Sequence, residues 1–517
     1  MISIAMKISP LALLAAFTFS ALASAADLTV EKIDDRRPKN VIFVLSDDHR
    51  FDAMGFLGKY PWLKTPNMDR LASEGVHFPN AFVTTSLCSP SRASILTGQY
   101  MHKHGIVDNN VNIRSGTRLF PEYLQEAGYQ TAFVGKWHMG GHGDDPQPGF
   151  DHWVSFRGQG HYNPGRGIML NIDGKRTPQK GYITDELTDH AINWLDETKR
   201  DQPFFLYLSH KAVHADFSPA ERHKTLYEDV EVETPVTQAD TEENYHLKPR
   251  WVRDQRNSWH GVDFPYHSTL DVKEYFKNYC RALKGVDESL GRVLQWLDDE
   301  GVADDTLVLY MGDNGFLFGE HGLIDKRNAY EESMRVPLLG RCSSLWSPGQ
   351  TVESVVANID IGPTVLAAAG VKTPQQMDGA SFLDLQSIQA EDSDWRDFLL
   401  YEYYWEFNFP QTPTTYALRG EQYKFIQYHG IWDCDELYDL KADPNERDNL
   451  IFEPEHKQLV DRLRKRLYKE LSSRGAARVP FSEKENHGRG LRIDNGKGGG
   501  DFPKPFIRDE PVNRNAS

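Results

Sequence analysis

Apolar runs that stop abruptly at acids or histidines recur along this chain. Residues 39–50, "KNVIFVLSDDHR", are an unbroken β-branched run closed by Asp47 and Asp48, which reads as a buried strand. Residues 67–78, "NMDRLASEGVHF", carry helical periodicity and a stop at Gly75. Residues 117–140 read as helix, glycine stop, strand and polar loop, and 184–197 as a helix. "PFFLYLSHKAVH" (203–214) reads as a strand with His210 and His214 at its end. After a polar, Trp- and His-rich stretch (about 216–270) comes a long amphipathic helix from Val272. A strand at 306–315 follows, with Asp313 at its C-terminal end, then a buried helix at 359–370 closed by Gly370.

Apolar strands alternating with crossing helices predict an α/β fold, a large, mainly parallel mixed sheet sandwiched by helices. Ligands gather at the carboxyl ends of such strands, where Asp47, Asp48, His214 and Asp313 fall. From about residue 396 the texture changes. "YALRGEQYKFIQY" and "DELYDL" read as short antiparallel strands, and a helix follows with a stripe at Leu459, Leu463, Leu467 and Leu471. The expected organisation is a catalytic unit over 26–395, a smaller C-terminal α+β unit over 396–480 and a loose tail over 481–517, with no internal repeats.

The chain has 517 residues, 39% of them hydrophobic, which suits several packing units in a soluble protein. Its formal net charge of −17 argues against nucleic acid and anionic membranes as partners, so an anionic substrate needs a local basic site. Residues 1–25 read as a signal peptide: Lys7 precedes an apolar run ending in Ala23-Ser24-Ala25. That run is too short to span a bilayer and no later segment is apolar enough, so export to the periplasm or beyond is expected. Four cysteines, Cys88, Cys280, Cys342 and Cys434, are few for a disulfide framework. With Cys88 set apart, at most one bridge forms.

"SLCSPSRASILTG" (86–98) sets Cys88 at a helix start, with Ser89 as expected N-cap, Pro90 as first helical residue and Gly98 past the end. Cys88 then faces the positive end of a helix dipole, with Arg92 one turn inside. It is either a small buried thiol or a group that meets an anion. Asp47-Asp48 and Asp313-Asn314 supply hard oxygen ligands that favour Ca²⁺ or Mg²⁺. His49 hints at zinc, but Asn314 stands where a second soft ligand would be expected.

Together, "CSPSRASILTG", "GKWHMG" (135–140), "GDNGFLFGEHGLIDKRNAYEESMRVPL" (312–338) and "ELYDLKADPNERDNL" (436–450) resemble the type I, formylglycine-dependent sulfatases of the alkaline-phosphatase-like superfamily. The resemblance runs from about residue 39 to 475 and departs at "KAVH", where relatives often have Pro before the second His. It implies that a formylglycine-generating maturation enzyme oxidises Cys88 to 3-oxoalanine. It also implies that Asp47, Asp48, Asp313, Asn314 and the modified Cys88 hold Ca²⁺, Mg²⁺ being the alternative. The hydrated aldehyde would attack sulfur, the sugar alcohol would leave, and the second hydroxyl would expel sulfate. Arg92 would steady the diol and metal shell, and Lys136 and Lys326 would neutralise sulfuryl oxygens. His138 would be the base, and His214 the acid toward the leaving alcohol, sharing that task with Lys326. His321 and Arg327 would touch substrate, a sulfated carbohydrate.

Three other readings stay open on sequence alone. They are a formylglycine-dependent phosphodiester or phosphonate monoester hydrolase, a cysteine hydrolase using unmodified Cys88, and a glycan-binding protein with a degenerate site.

Overall fold

A computed structural model describes residues 30–32, 39–140, 143–259, 264–385, 395–431 and 433–476. The expected signal peptide (1–25) and the expected tail (481–517) lie outside the described residues, as does His260 of the Trp- and His-rich stretch.

Ten strands form the large sheet. Its centre is five parallel strands in the order Thr306–Gly312, Asn40–Ser46, Phe204–Ser209, Gln130–Lys136 and His152–Phe156. Antiparallel strands flank them, Leu338–Arg341 on one side and Met169–Ile172 on the other, which makes the sheet mixed. The apolar run at 41–45 has no polar alternation because both of its faces are covered. Val41, Phe43 and Leu45 enter one core, Ile42 and Val44 the other, and all five are fully buried. Each such side chain contributes roughly 1.5–3 kcal/mol of burial.

Three helices cover the Ile42 face: Pro66–Glu74, Ile183–Glu197 and the 28-residue helix Val272–Asp299. Asp271 caps the last of these, its carboxylate accepting from the backbone N–H groups of Lys273 at 2.9 Å and Glu274 at 3.3 Å. The other face takes Cys88–Thr97, Phe120–Glu126, Ile361–Ala368 and the C-terminal sheet. That sheet is four antiparallel strands, Phe398–Tyr403, Thr414–Gly420, Tyr423–His429 and Glu436–Asp439, in chain order. The helix Lys457–Ser473 packs on it through buried Leu463, Leu467 and Leu471, with Leu459 half-buried. No helix of the described residues is long and apolar enough to cross a membrane.

Two sequence expectations need correction, and the preference for a hard cation over zinc agrees with where His49 points. The helix at Cys88 begins two residues earlier than read: Leu87 is its N-cap and Ser89 lies inside the first turn. Pro90 is tolerated there because first-turn N–H groups have no intrahelical acceptor. The strand read over 203–214 ends at Ser209, so His210 and His214 stand in the following loop. His49 turns away from the acids, its Nδ1 2.7 Å from the Tyr310 hydroxyl and its Nε2 3.1 Å from the Ala53 carbonyl, so it offers nothing to a zinc ion beside them. All four cysteines are buried free thiols.

Candidate active site

Strand register builds the acidic half of the site. The strands Asn40–Ser46 and Thr306–Gly312 run parallel with Ser46 opposite Gly312, so the next residues, Asp47 and Asp313, emerge side by side. The pairing continues past the strands: Asp313 N–H donates to the Ser46 carbonyl at 2.9 Å, and Asp48 N–H to Asp313 Oδ1 at 3.0 Å. Lys136 closes the strand Gln130–Lys136, which is separated from Asn40–Ser46 by Phe204–Ser209. Gly135 before it is in positive φ (+130°), and a Cβ there would lie 1.8 Å from the Ser209 carbonyl oxygen, so no other residue fits.

Cys88 is the first residue of its helix, with Sγ 3.5 Å from Asp47 Oδ1 and 2.9 Å from Lys326 Nζ. Lys326 also donates to Asp48, and Lys136 to Asp47. Arg92, one turn into the helix, donates to Asp313 Oδ2 (2.9 Å), Asp47 Oδ2 (3.1 Å), the Lys136 carbonyl (2.7 Å) and Ser209 Oγ (2.6 Å). Its guanidinium therefore ties four strand ends to the helix that carries Cys88. Asn314 Nδ2 donates to Asp48 Oδ1 at 2.6 Å, while its Oδ1 is buried with no hydrogen-bond partner among the described residues.

Three carboxylates thus share a buried space with three cations, Arg92, Lys136 and Lys326. Burial would raise Asp47, but Lys136 and Arg92 outweigh it and hold that carboxyl well below the usual range. Burial lifts Asp48 to about 7, with Lys326 opposing and Asp47 adding repulsion. Burial and then Asp47 raise Asp313. Lys326 stays an ammonium: burial disfavours its charge, but Asp48 and its neighbours more than compensate.

Ligand atoms of Asp47, Asp48, Cys88 and Asp313 lie within 4.8 Å of one another. With the unpartnered Asn314 oxygen they make an oxygen-rich donor set that fits a hard divalent cation, whose charge would relieve the crowding of Asp48 and Asp313. Burial pushes the Cys88 thiol up to about 12, and Asp47 adds to this, so at neutral pH the unmodified side chain is not a thiolate. A cysteine hydrolase finds no support in that environment.

The two histidines take the remaining sides. Atoms of His214, Asp47 and Cys88 fall within the same 4.8 Å span. His214 Nδ1–H donates to the Ala215 carbonyl at 2.6 Å, which leaves Nε2 without a hydrogen bond among the described residues, and the Tyr162 hydroxyl donates to the His214 carbonyl at 2.5 Å. His138 Nδ1 is 3.5 Å from Ser89 Oγ, and the Ser89 hydroxyl donates to the His138 carbonyl. Burial, reinforced by Lys136, holds both histidines well below their ordinary value, hence neutral.

His321 sits elsewhere, its ring stacked 3.9 Å from that of Tyr330 and its Nε2 3.8 Å from Glu332, so the structure does not bring it to Cys88. Arg327 follows Lys326 but turns toward Asp325 and Glu406. Three other buried histidines have structural partners: His102 pairs with Glu402, His104 with Ser94 and His210 with Ser289.

Sequence reading missed Ser209, Tyr162 and Lys211. The buried Lys211 ammonium lies 4.4 Å from the centre of the Tyr162 ring, and burial together with Lys136 lowers it to about 8. Ser209 was findable as the last residue of an apolar strand. Tyr162 carried no signal, because a loop 52 residues away in sequence brings it to His214.

Comparison with known proteins agrees with this geometry. A family model described as "Sulfatase" matches residues 39–371, and one described as "N-sulphoglucosamine sulphohydrolase, C-terminal" matches 319–473. The chain is 34% identical to an N-acetylglucosamine-6-O-sulfatase of Bacteroides thetaiotaomicron, over 87% of this chain and 89% of that one. It is 27% identical to an ulvan-active sulfatase of Formosa agariphila over 98% of both chains. A solved structure of a protein in complex with its substrate D-glucosamine-2-N,6-O-disulfate superposes with a TM-score of 0.76 at 31% identity, covering 86% of this chain and 99% of that one. The mixed sheet, the buried cation–carboxylate cluster at its strand ends and these matches together make this chain a member of the sulfatase family.

Proposed function

We propose that the protein is an exported sulfatase that removes sulfate from a sulfated carbohydrate, using formylglycine made from Cys88 and a bound Ca²⁺. One observation carries the reading. Asp47, Asp48 and Asp313 converge on Cys88, Asn314 donates to Asp48 with its own oxygen unpartnered among the described residues, and Lys326 touches the Cys88 Sγ. Once oxidised and hydrated, residue 88 would supply an oxygen nucleophile, and Ca²⁺ held by Asp47, Asp48, Asp313 and Asn314 would supply Lewis-acid charge.

The rest is the work of the chain's own side chains. Lys326 and Lys136 meet the sulfuryl oxygens with fixed positive charge in a water-poor space. Arg92 sets the spacing of Asp47 and Asp313. His214 enters neutral with its proton on Nδ1; an arriving anion favours a second proton on Nε2, which it passes to the leaving oxygen. His138, neutral and beside Ser89, takes the proton of the residue-88 hydroxyl. A formal balance of three carboxylates and three cations becomes net positive once a divalent ion is added, which suits an anionic ester.

The saccharide class rests on the relatives' substrates, with 6-O-sulfated glucosamine residues the first to try. Export rests on residues 1–25 and leads to the periplasm or the medium. The test is sulfate release by matured enzyme from 6-O-sulfated N-acetylglucosamine, glycosaminoglycan saccharides and ulvan fragments, with aryl phosphonate esters alongside. Sulfate release with negligible phosphonate turnover is expected. The reverse preference would install the phosphonate monoester hydrolase reading instead.

A further inference from the structure

Phe407 and Trp405 leave 81% and 51% of their surface exposed, unusual for large apolar side chains in a protein whose other aromatics are mostly buried. Both lie in the loop between the strands Phe398–Tyr403 and Thr414–Gly420. The residues between and beyond them point the other way. The Glu406 carboxylate is buried against Arg327, and the Phe409 ring lies 3.3 Å from the Arg327 guanidinium carbon. Trp259 of the 216–270 insertion stacks on Phe409 with ring centres 4.6 Å apart at 19°, and its carbonyl accepts from Gln411 at 2.6 Å. The inner side of this loop is therefore fastened to the residue next to Lys326, and its outer side presents two rings.

Trp405 is held ready. Its N–H donates to Thr414 Oγ1 at 2.9 Å and its indole N–H to the Pro410 carbonyl at 3.0 Å, so little side-chain freedom remains to be lost on contact. Exposed Asn408 lies beside the rings as a hydrogen-bonding amide. A held indole, a second exposed ring and an amide next to it in sequence match a pyranose, whose C–H face is apolar and whose edge carries hydroxyls.

Building on the proposed carbohydrate function, we propose that Trp405 and Phe407 form a stacking surface for a sugar residue of the substrate beyond the sulfated one. Phe407 stands at the surface whereas Lys326, where the ester would sit, is buried, so the rings are offered to a residue beyond the sulfated one. Attachment of the loop to Arg327 ties that surface to the residue next to Lys326.

The test compares parent enzyme, the Trp405→Ala/Phe407→Ala pair and Phe407→Tyr on 6-O-sulfated N-acetylglucosamine and on a heparin tetrasaccharide ending in 6-O-sulfated glucosamine. The double variant is expected to lose about tenfold in kcat/KM on the tetrasaccharide relative to the monosaccharide, mostly through KM, with Phe407→Tyr close to parent. Gels cast with heparin, run with the parent and double-variant chains each carrying Cys88→Ala, should show the same loss as weaker retardation. An equal effect at both lengths, with the parent active on both, would overturn the stacking surface and leave the carbohydrate reading intact. A parent inactive on every saccharide would overturn both. A concentration-dependent dimer that the double variant abolishes would assign the rings to a second copy of the chain and overturn the proposal.

Discussion

Lys326 Nζ lies 2.9 Å from Cys88 Sγ and on its other side meets the Asp48 carboxylate, so one ammonium joins the nucleophile position to the cation cage. Replacing it with alanine removes a preorganised charge from the place where negative charge develops. Lys326→Ala is expected to lower kcat for sulfate release about 10²–10³-fold. Lys326→Arg should recover little, since a planar fork cannot occupy the space of a point charge between Sγ and Asp48. An unchanged kcat in Lys326→Ala would remove this residue from the chemistry.

Ca²⁺ binding should be visible without turnover. A cation that binds only the folded chain raises the melting temperature, and at a hundredfold excess over its Kd the gain is about 2.7 kcal/mol. Differential scanning calorimetry is expected to show this rise on adding Ca²⁺ to chelator-treated protein. Asp313→Asn, which keeps shape but removes charge, should abolish most of it. A full rise in that variant would place the ion elsewhere.

Arg92 is 1% exposed and donates to two carboxylates. Arg92→Ala leaves Asp47 and Asp313 buried without their strongest shared partner, a change that costs about 3–5 kcal/mol. Urea unfolding should register that loss in metal-free protein, with part of it recovered on adding Ca²⁺. A loss below about 1 kcal/mol would mean that the guanidinium does not hold the strand ends together.

Burial lifts the Glu332 carboxyl to about 8, with Glu320 and Glu446 adding repulsion, and its Oε2 has no hydrogen-bond partner among the described residues. The folded chain therefore binds this proton more tightly than the unfolded chain, whose carboxyl titrates near 4.5. The stability it contributes is full below pH 4.5 and is lost as pH rises through about 8. Glu332→Gln cannot ionise, so its stability relative to the parent should rise by on the order of a few kcal/mol between those limits. Parallel curves of melting temperature against pH would contradict the assignment.

Much of the fold was legible because it is locally encoded. The unbroken run at 41–45 announced a strand covered on both faces, and the acids that end two parallel strands announced the site. Strand register then made Asp47 and Asp313 neighbours. What sequence could not give was long-range convergence. Arg327 and Trp259 stack on Phe409 across 82 and 150 residues of chain, which no periodicity records, and Tyr162 reaches His214 from another loop. The Ser89 cap was misplaced for a local reason: Ser, Pro and Ser are all tolerated in a first turn, so composition does not say where that turn begins.

The most direct measurement is the mass of the peptide carrying residue 88, taken from protein whose sulfate-releasing activity is measured on the same sample. The expected result is an aldehyde in place of the thiol, captured by a hydrazide, in proportion to activity. Fully active protein with an intact cysteine at position 88 would contradict it.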